Sequence, residues 1–216
     1  MKPVPRQSRP EHEQAYALLK SEIMSGVFAP GTKLSIKRLS DAYAFGFTPT
    51  REAVRRLGTE GAVEIEPKKA MRIPILSKKA AADIYRLRTL IEPEVAARAA
   101  RASDAVFVKK LKVLVKTMEQ SLRKDSPLKY LRANQDFHFS IYRQGDIHLS
   151  IHIIEMLWLQ MGPLQAYYTA ETRSMSPNLH RDIVDAMATN DARKAKSSLR
   201  EDIECGIDSL LVFVPE

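Results

Sequence analysis

The apolar positions near the start of the chain follow the period of an α-helix. The first stripe lies in residues 11–26 and consists of Ala15, Leu18, Leu19, Ile23 and Met24. A second, shorter helix is predicted over 36–43. A third is predicted from Thr48 to Gly61, with Thr48 as its N-cap and Pro49 as its first helical residue.

After the third helix the pattern changes from helical to alternating. The segments AVEIEP and MRIPIL each alternate apolar and polar residues, and PKKA separates them. This pattern predicts a two-stranded hairpin with a basic tip. Three helices followed by a hairpin are the layout of a winged helix-turn-helix, a DNA-binding module.

The rest of the chain carries only helical patterns. Short polar stretches separate six predicted helices, at 78–101, 104–124, 127–143, 147–170, 176–189 and 191–212. Helices of this length predict an antiparallel bundle. We therefore predict a mainly α protein with a flexible arm over 1–10, a winged helix-turn-helix domain over 11–76, and an all-α helical domain for ligand binding and dimerisation over 77–216.

Positive charge is concentrated in the first of these domains. The chain has a net charge of +8, and residues 1–79 hold 15 Lys and Arg against 8 Asp and Glu. Residues 80–216 hold 19 against 18. This asymmetry favours an N-terminal module that binds a polyanion and a C-terminal module with another task.

Several classes of protein are excluded by composition. The sequence has no apolar run of the roughly 18 residues that a membrane span needs, and its N-terminus lacks the apolar core of a signal peptide. The single cysteine, Cys205, excludes an internal disulfide. We expect a cytoplasmic protein without a membrane partner.

Basic and hydroxyl side chains fall where a winged helix-turn-helix contacts DNA. The start of the third helix would read bases in the major groove, while the second helix and the hairpin tip would hold the backbone. Any one of these residues could equally belong to a solvated basic face, but the whole set favours DNA. The predicted contacts are Lys37, Arg38, Thr48, Thr50, Arg51, Arg55, Lys68 and Lys69.

Two stretches resemble a known family. PGTKLSIKRLSDAYAFGFTPTREAVRRLGTEGAVEIEP resembles the GntR-type winged helix of bacterial repressors. DIYRLRTLIEPEVAARAA resembles the first helix of the FCD effector domain, here of the six-helix VanR-like type, with Arg88 and Glu92 at the usual R...E positions. The resemblance implies a regulator that binds a palindromic operator as a homodimer.

The chain departs from the family pattern at the DNA-binding residues. Gly46 and Phe47 stand where relatives have Ser-Arg, so one arginine that contacts DNA in relatives is absent. Ala70 replaces the glycine of the wing. Phe47 either packs against a thymine methyl group or closes the turn over Tyr43. We expect the operator sequence, rather than DNA binding itself, to differ.

Three predicted helices of the second domain turn polar side chains toward one interior. Asn134 and His138 lie four residues apart on one helix face, His180 precedes an apolar stripe, and Asp202 shares a face with Leu199. Each could separately be a core residue with its own partner. The segments NQDFHFSIY and LHRDIVDAM also resemble FCD motifs, which implies that the family's metal set of one Asp and three His falls on Asn134, His138, His180 and Asp202.

Two of these four positions differ from the family set, since Asn134 replaces the Asp and Asp202 replaces a His. Two His and one carboxylate still suit a divalent ion such as Zn, Ni, Mn or Fe with open coordination positions. The alternative is a metal-free polar pocket. Open positions together with Arg88 would suit a small carboxylate effector, although Arg88 could instead pair with Glu92.

The sequence thus predicts a transcriptional regulator whose operator binding is controlled by a small organic acid, with a divalent metal. One alternative is a DNA-binding dimer whose bundle is metal-free or purely structural. A metal-dependent enzyme is the other, since two His and a carboxylate could activate water. We expect no enzyme, because the sequence shows no nucleophile–base constellation.

Overall fold

The computed structural model describes residues 9–65, 70–167 and 170–215. Within this part the chain is mainly α-helical, as predicted. Short 3₁₀ helices follow the seventh and ninth α-helices, at Gly162–Tyr167 and Leu211–Phe213. The α-helices are α1 Glu11–Met24, α2 Ile36–Tyr43, α3 Phe47–Thr59, α4 Lys78–Arg101, α5 Ala105–Arg123, α6 Pro127–Gln144, α7 His148–Met161, α8 Ala170–Ala188 and α9 Ala192–Leu210.

Polar side chains determine where several helices begin. Ser77 accepts a hydrogen bond from the backbone N–H of Ala80 at the start of α4, and Asp104 accepts one from Phe107 at 2.7 Å at the start of α5. Asp191 caps α9 in the same way. These caps satisfy backbone donors that the first turn leaves without helical partners.

The start of α3 differs from the prediction. The helix begins at Phe47 with Gly46 as its N-cap, so the prediction of Thr48 as N-cap is wrong. Gly46 is held in place from outside α3, because its backbone N–H donates to Glu11 Oε1 at 2.7 Å. Thr48 and Pro49 consequently lie within the first helical turn.

The connection between α7 and α8 also differs from the prediction. The helix predicted over 147–170 ends as an α-helix at Met161, because Pro163 lacks the N–H that would continue the ladder. The chain goes on as the 3₁₀ helix Gly162–Tyr167. The stretch SMSPN, predicted as a connection, lies inside α8, which begins at Ala170.

The wing is present as isolated bridges rather than as two continuous strands. Glu64 and Arg72 exchange backbone hydrogen bonds of 2.8 and 3.1 Å, which confirms the predicted pairing of the two segments. Arg72 also bridges to Lys33, and Leu34 N–H donates to Met71 O at 2.8 Å. The turn after α1 therefore supplies a third extended segment that the sequence analysis did not predict.

The buried apolar side chains of the two halves form one continuous core. In the first half, α1 packs along α3, and the buried side chains include Ile23, Leu57 and Ile73. In the second, α4 packs along α9, α5 along α6, and α8 along both α5 and α9. Its largest fully buried side chains include Phe137, Tyr142 and Trp158. This bundle is the scaffold for the polar cluster described below.

The C-terminal part of α1 joins the two halves. Although α1 belongs to the winged helix-turn-helix by sequence, it also packs against α7 and the 3₁₀ helix that follows. Polar contacts link it to α6 and α7 through Lys20–Glu155 at 2.8 Å, Glu22–Arg132 at 2.7 Å and Ser25–Gln135. The N-terminal half is thus anchored on helices of the C-terminal bundle.

Two glycines allow a very close approach at this junction. A Cβ atom on Gly162 would stand 2.6 Å from both Ile23 O and Met24 Cα. A Cβ atom on Gly26, which has a φ of +71°, would stand 2.9 Å from Ala166 N. The 3₁₀ helix therefore lies directly against the backbone at the end of α1.

Replacement of Gly162 by alanine should loosen this junction. The helical φ and ψ of Gly162 suit alanine, so the new methyl group acts only through its overlap with the α1 backbone. We expect the backbone amides of residues 23–27 to exchange with solvent about tenfold faster or more. Hydrogen–deuterium exchange with mass spectrometry measures this change.

Gly145→Ala is the matched control. A Cβ atom there would also stand 2.6 Å from a neighbour, but that neighbour is Val95 inside the bundle. This variant should leave the relative exchange of residues 23–27 unchanged. If both variants raised the amide exchange of residues 23–27 equally, the close approach at Gly162 would not be what protects the end of α1.

Candidate DNA interface and metal centre

The exposed face of α3 carries most of the residues predicted to read DNA. Thr48, Arg51 and Arg55 are exposed, whereas Leu57 on the opposite face is buried. On α2, the predicted phosphate-binding residues Lys37 and Arg38 are exposed as well. Lys68 and Lys69 lie outside the described residues, so their prediction stands as made.

Thr50 does not belong to this surface. Its side chain is 1% exposed, and its hydroxyl donates to the backbone carbonyl of Gly46 at 2.9 Å. A buried side chain with its hydroxyl engaged inside the helix cannot reach a base edge. We therefore correct the prediction: Thr50 stabilises the first turn of α3 and does not contact DNA.

The arginines of α3 have different surroundings. Arg56 turns toward α1, where its guanidinium lies 3.7 Å from the centre of the Tyr16 ring and its Nε lies 3.3 Å from Glu60 Oε1. Arg51 and Arg55 instead point to the exposed face. Phe47, the first residue of α3, is 54% exposed, an unusual position for a large apolar side chain.

Three of the four predicted metal ligands converge inside the bundle. His138 comes from α6, His180 from α8 and Asp202 from α9. The two histidine Nε2 atoms are 3.4 Å apart. Asp202 Oδ2 lies 3.2 Å from His138 Nε2, and Asp202 Oδ1 lies 3.4 Å from His180 Nε2.

Asn134, the fourth predicted ligand, lies one turn before His138 on α6. It lines the same cavity as His138 and Asp202 and is half-buried. An amide oxygen is a weaker donor than a carboxylate. The close cluster is therefore the His–His–Asp set, with Asn134 beside it.

A buried hydrogen-bond chain orients His138. Tyr142 donates its hydroxyl proton to Glu92 Oε2 at 2.5 Å, and Trp158 Nε1 donates to Glu92 Oε1 at 3.0 Å. Because Tyr142 has given its only proton to Glu92, its oxygen accepts from Nδ1–H of His138 at 3.2 Å. The Nε2 atom of His138 then faces Asp202 and the other histidine, and this is the atom that would bind a metal ion.

Burial determines the charge of this cluster. Desolvation lowers the pKa of His180 to about 4, although the neighbouring Asp202 acts in the opposite direction. Burial by itself would raise the pKa of Asp202, but His180, His138 and Arg88 hold that pKa below its ordinary value. At neutral pH His180 is therefore neutral and Asp202 is ionised.

Arg88 and Glu92 form the ion pair that the sequence left as one of two possibilities. Arg88 Nε lies 2.7 Å from Glu92 Oε1 and its Nη2 lies 3.1 Å from Glu92 Oε2, and the two residues are 4% and 0% exposed. Burial disfavours the charged guanidinium, but Glu92 outweighs burial and raises the pKa of Arg88 above its ordinary value. Arg88 also lines the cavity beside the metal ligands.

The cavity at this cluster is small, about 40 Å³, and lies among α4, α6, α7, α8, α9 and the 3₁₀ helix Gly162–Tyr167. A cavity of that size holds a few water molecules or a short organic molecule. No motif or spacing in the sequence marks Trp158, Tyr142 or Gln165 as residues of this site. The residues that line the cavity include Tyr85, Arg88, Asn134, His138, Trp158 and Gln165.

A winged helix-turn-helix with an exposed basic third helix, joined to a helical bundle, is the architecture of a class of transcription regulators. Residues 11–73 match the family model of bacterial regulatory proteins of the gntR family, and residues 83–204 match the FCD domain. The FCD match alone covers more than half of the chain. This protein therefore belongs to the GntR family, in the group with an FCD domain, and it is a DNA-binding transcriptional regulator.

The similar proteins include transcriptional regulators and repressors from other bacteria. The HTH-type transcriptional regulator McbR of Escherichia coli K12 is 27% identical over 188 residues, which cover 85% of each chain. The gluconate operon transcriptional repressor of Bacillus subtilis is 28% identical over 146 residues, which cover 68% of this chain and 58% of that relative.

Solved structures show the same fold. The structure of E. coli McbR/YncC matches with a TM-score of 0.87 at 24% identity, covering 94% of this chain and 98% of that one. A GntR regulator from Rhodococcus sp. RHA1 matches with a TM-score of 0.75 at 16% identity, covering 93% and 97%. Among the described residues, no helix combines the length and apolar character that crossing a membrane requires.

Proposed function

We propose that this regulator binds a palindromic operator as a homodimer and that a small carboxylate, held by a divalent metal in the bundle, controls this binding. The His–His–Asp cluster beside a small cavity carries the proposal.

The DNA step rests on the exposed side chains at the start of α3. Thr48, Arg51 and Arg55 would face the major groove, where an arginine can pair with guanine through two hydrogen bonds. Lys37 and Arg38 would hold phosphates. The wing lysines predicted from the sequence, Lys68 and Lys69, would follow the adjacent backbone.

The homodimer supplies the second recognition helix that a palindromic operator needs. Support comes from exposed apolar side chains on the packed helices α4 and α7, since self-association would remove them from water. These side chains are Leu87, Leu90, Leu149 and Met156.

Arg51→Ala should weaken operator binding by about 10- to 100-fold, because a lost bidentate base contact costs about 1–3 kcal/mol. Binding to a scrambled duplex should change far less. Fluorescence anisotropy at fixed salt, with a duplex selected from fragments of the source genome, measures both affinities.

Arg101→Ala is the matched control, since it removes an exposed arginine at the far end of α4. It should leave the affinity for the selected duplex within about twofold of wild type. If Arg51→Ala behaves like Arg101→Ala, α3 does not read the operator through Arg51.

The metal step rests on the spacing of the three ligand atoms. Two ligands bound at about 2.1 Å to one tetrahedral ion stand about 3.4 Å apart, and the observed separations are 3.2 to 3.4 Å. The Nε2 atom of His138 and the carboxylate of Asp202 converge at this point. A bound cation would stabilise this arrangement. The donor set suits Zn, Ni, Mn or Fe, with Asn134 as a weaker fourth ligand.

His138→Ala combined with His180→Ala should abolish stoichiometric metal binding while operator binding by α3 persists. Tyr142→Phe should bind the same ion 10- to 100-fold more weakly, because it removes the acceptor that fixes the tautomer of His138. Elemental analysis after reconstitution and competition with a chelating dye measure these effects. If wild-type protein held no stoichiometric metal after reconstitution, the proposed metal binding would be wrong.

The effector step rests on the charges around the cavity. Asp202 and Glu92 carry one negative charge each, and Arg88 carries one positive charge, so the group has a net charge of −1. A divalent ion changes this to +1. The bound metal would therefore supply the positive charge that attracts an anionic oxygen into the cavity.

Removal of the metal should accordingly abolish carboxylate binding. Acetate and propionate should raise the melting temperature of the metal-loaded protein and leave that of the EDTA-treated protein unchanged. Chloride at equal ionic strength is the control for salt effects. Equal stabilisation with and without metal would favour a metal-free pocket.

The bidentate pairing of Arg88 with Glu92 favours a second candidate, a regulator whose bundle is purely structural. Arg88 then needs no ligand, since its charge is already balanced inside the core. In that case no small carboxylate would stabilise the protein under any metal condition.

A further inference from the structure

Gln165 is a buried polar residue that the proposed function does not use. It lies in the 3₁₀ helix Gly162–Tyr167, is 3% exposed, and lines the cavity of the metal ligands. Its Oε1 atom has no hydrogen-bond partner among the residues that the structure describes. A buried acceptor without a donor is costly, so its placement at a ligand cavity points to a donor on the ligand.

Two strong donors that line the same cavity are directed away from Gln165. Trp158 donates to Glu92, and Arg88 donates to Glu92 and to the sulfur of Met161. The cavity thus offers a cation site for an anionic group on one side and an acceptor on another. A ligand that satisfies both carries a carboxylate and a hydrogen-bond donor.

We propose that Gln165 is a specificity-determining residue that accepts a hydrogen bond from the hydroxyl group of a short hydroxycarboxylate effector. This inference rests on the proposed metal-dependent binding of a carboxylate in the same cavity. Gln165 distinguishes acids with a hydroxyl from acids of the same chain length without one.

Charge favours a hydroxyl over an ammonium as the donor. With a divalent ion held by the carboxylate of Asp202 beside the Arg88–Glu92 ion pair, the group has a net charge of +1, which a hydroxycarboxylate monoanion balances. An amino acid zwitterion has no net charge and would leave that charge uncompensated. The volume of about 40 Å³ limits the ligand to a short chain.

The position of Gln165 also connects recognition to the DNA-binding domain. Its Cβ atom lies 3.0 Å from where a Cβ atom of Gly26 would stand, so its backbone segment adjoins the end of α1. A ligand hydroxyl that bonds Gln165 therefore contacts the segment on which the winged helix-turn-helix is anchored.

Isothermal titration of the metal-loaded full-length protein with matched acids tests the inference. The pairs are glycolate with acetate and lactate with propionate. Wild type should prefer the hydroxyl-bearing member of each pair by about tenfold or more, because the other member leaves Gln165 unpaired. In Gln165→Met, which keeps the side-chain length and removes the acceptor, the preference should fall to about twofold or less.

Two further variants control for loss of fold. Gln165→Glu keeps the shape of the side chain and an acceptor, so it should retain the preference for the hydroxyl-bearing acid. Its added negative charge should lower the affinity for every acid. Gln160→Met makes the same substitution on α7 at a position outside the cavity lining, and it should behave as wild type.

The outcomes separate this inference from the proposed function. If Gln165→Met keeps the full preference, chelation by the metal alone selects the hydroxyl, and the inference is overturned while metal-dependent acid binding stands. If wild type bound both members of each pair with the same affinity, the inference would also be overturned. If no acid binds to metal-loaded wild type, the proposed effector site fails and the inference fails with it.

Discussion

The buried carboxylate of Glu92 is the interaction on which the effector domain depends. It lies on α4 and accepts hydrogen bonds from Arg88 on its own helix, from Tyr142 on α6 and from Trp158 on α7. A carboxylate with no exposure is tolerated only when it is paired and fully hydrogen-bonded. This network holds three helices in register, and through Tyr142 it also sets the tautomer of His138.

The same helices carry the DNA-binding domain. The end of α1 contacts α6 and α7 through ion pairs. It also lies against the 3₁₀ helix at Gly162, where the absence of a side chain allows the two backbones to approach closely. Under the proposed function, ligand contacts at the cavity and DNA contacts at α3 would therefore act on two sides of one junction. By linkage, a ligand that changes the affinity for DNA must have its own affinity changed by DNA to the same factor.

Helix periodicity and motif spacing predicted most of the fold and singled out the three residues that cluster inside the bundle, because both depend on residues that recur at fixed intervals. Thr50 was misassigned, since a threonine in the first turn of a helix can face either the groove or its own backbone. The start of α8 was missed because SMSPN has the composition of a connection. Gln165 could not be singled out from the sequence, since it is notable only for its place in a cavity that five α-helices and a 3₁₀ helix line.

The departures from the family's metal set keep the charge while changing the ligands. One Asp with three His carries the same single negative charge as Asn134, His138, His180 and Asp202, so a divalent ion leaves the same net positive charge in either case. The carboxylate has moved from α6 to α9, and one imidazole is replaced by a weaker amide donor. An ion held by this set would rely more on the exogenous ligand for its remaining coordination. Such a site ties ion retention to effector binding more closely than four strong protein ligands would.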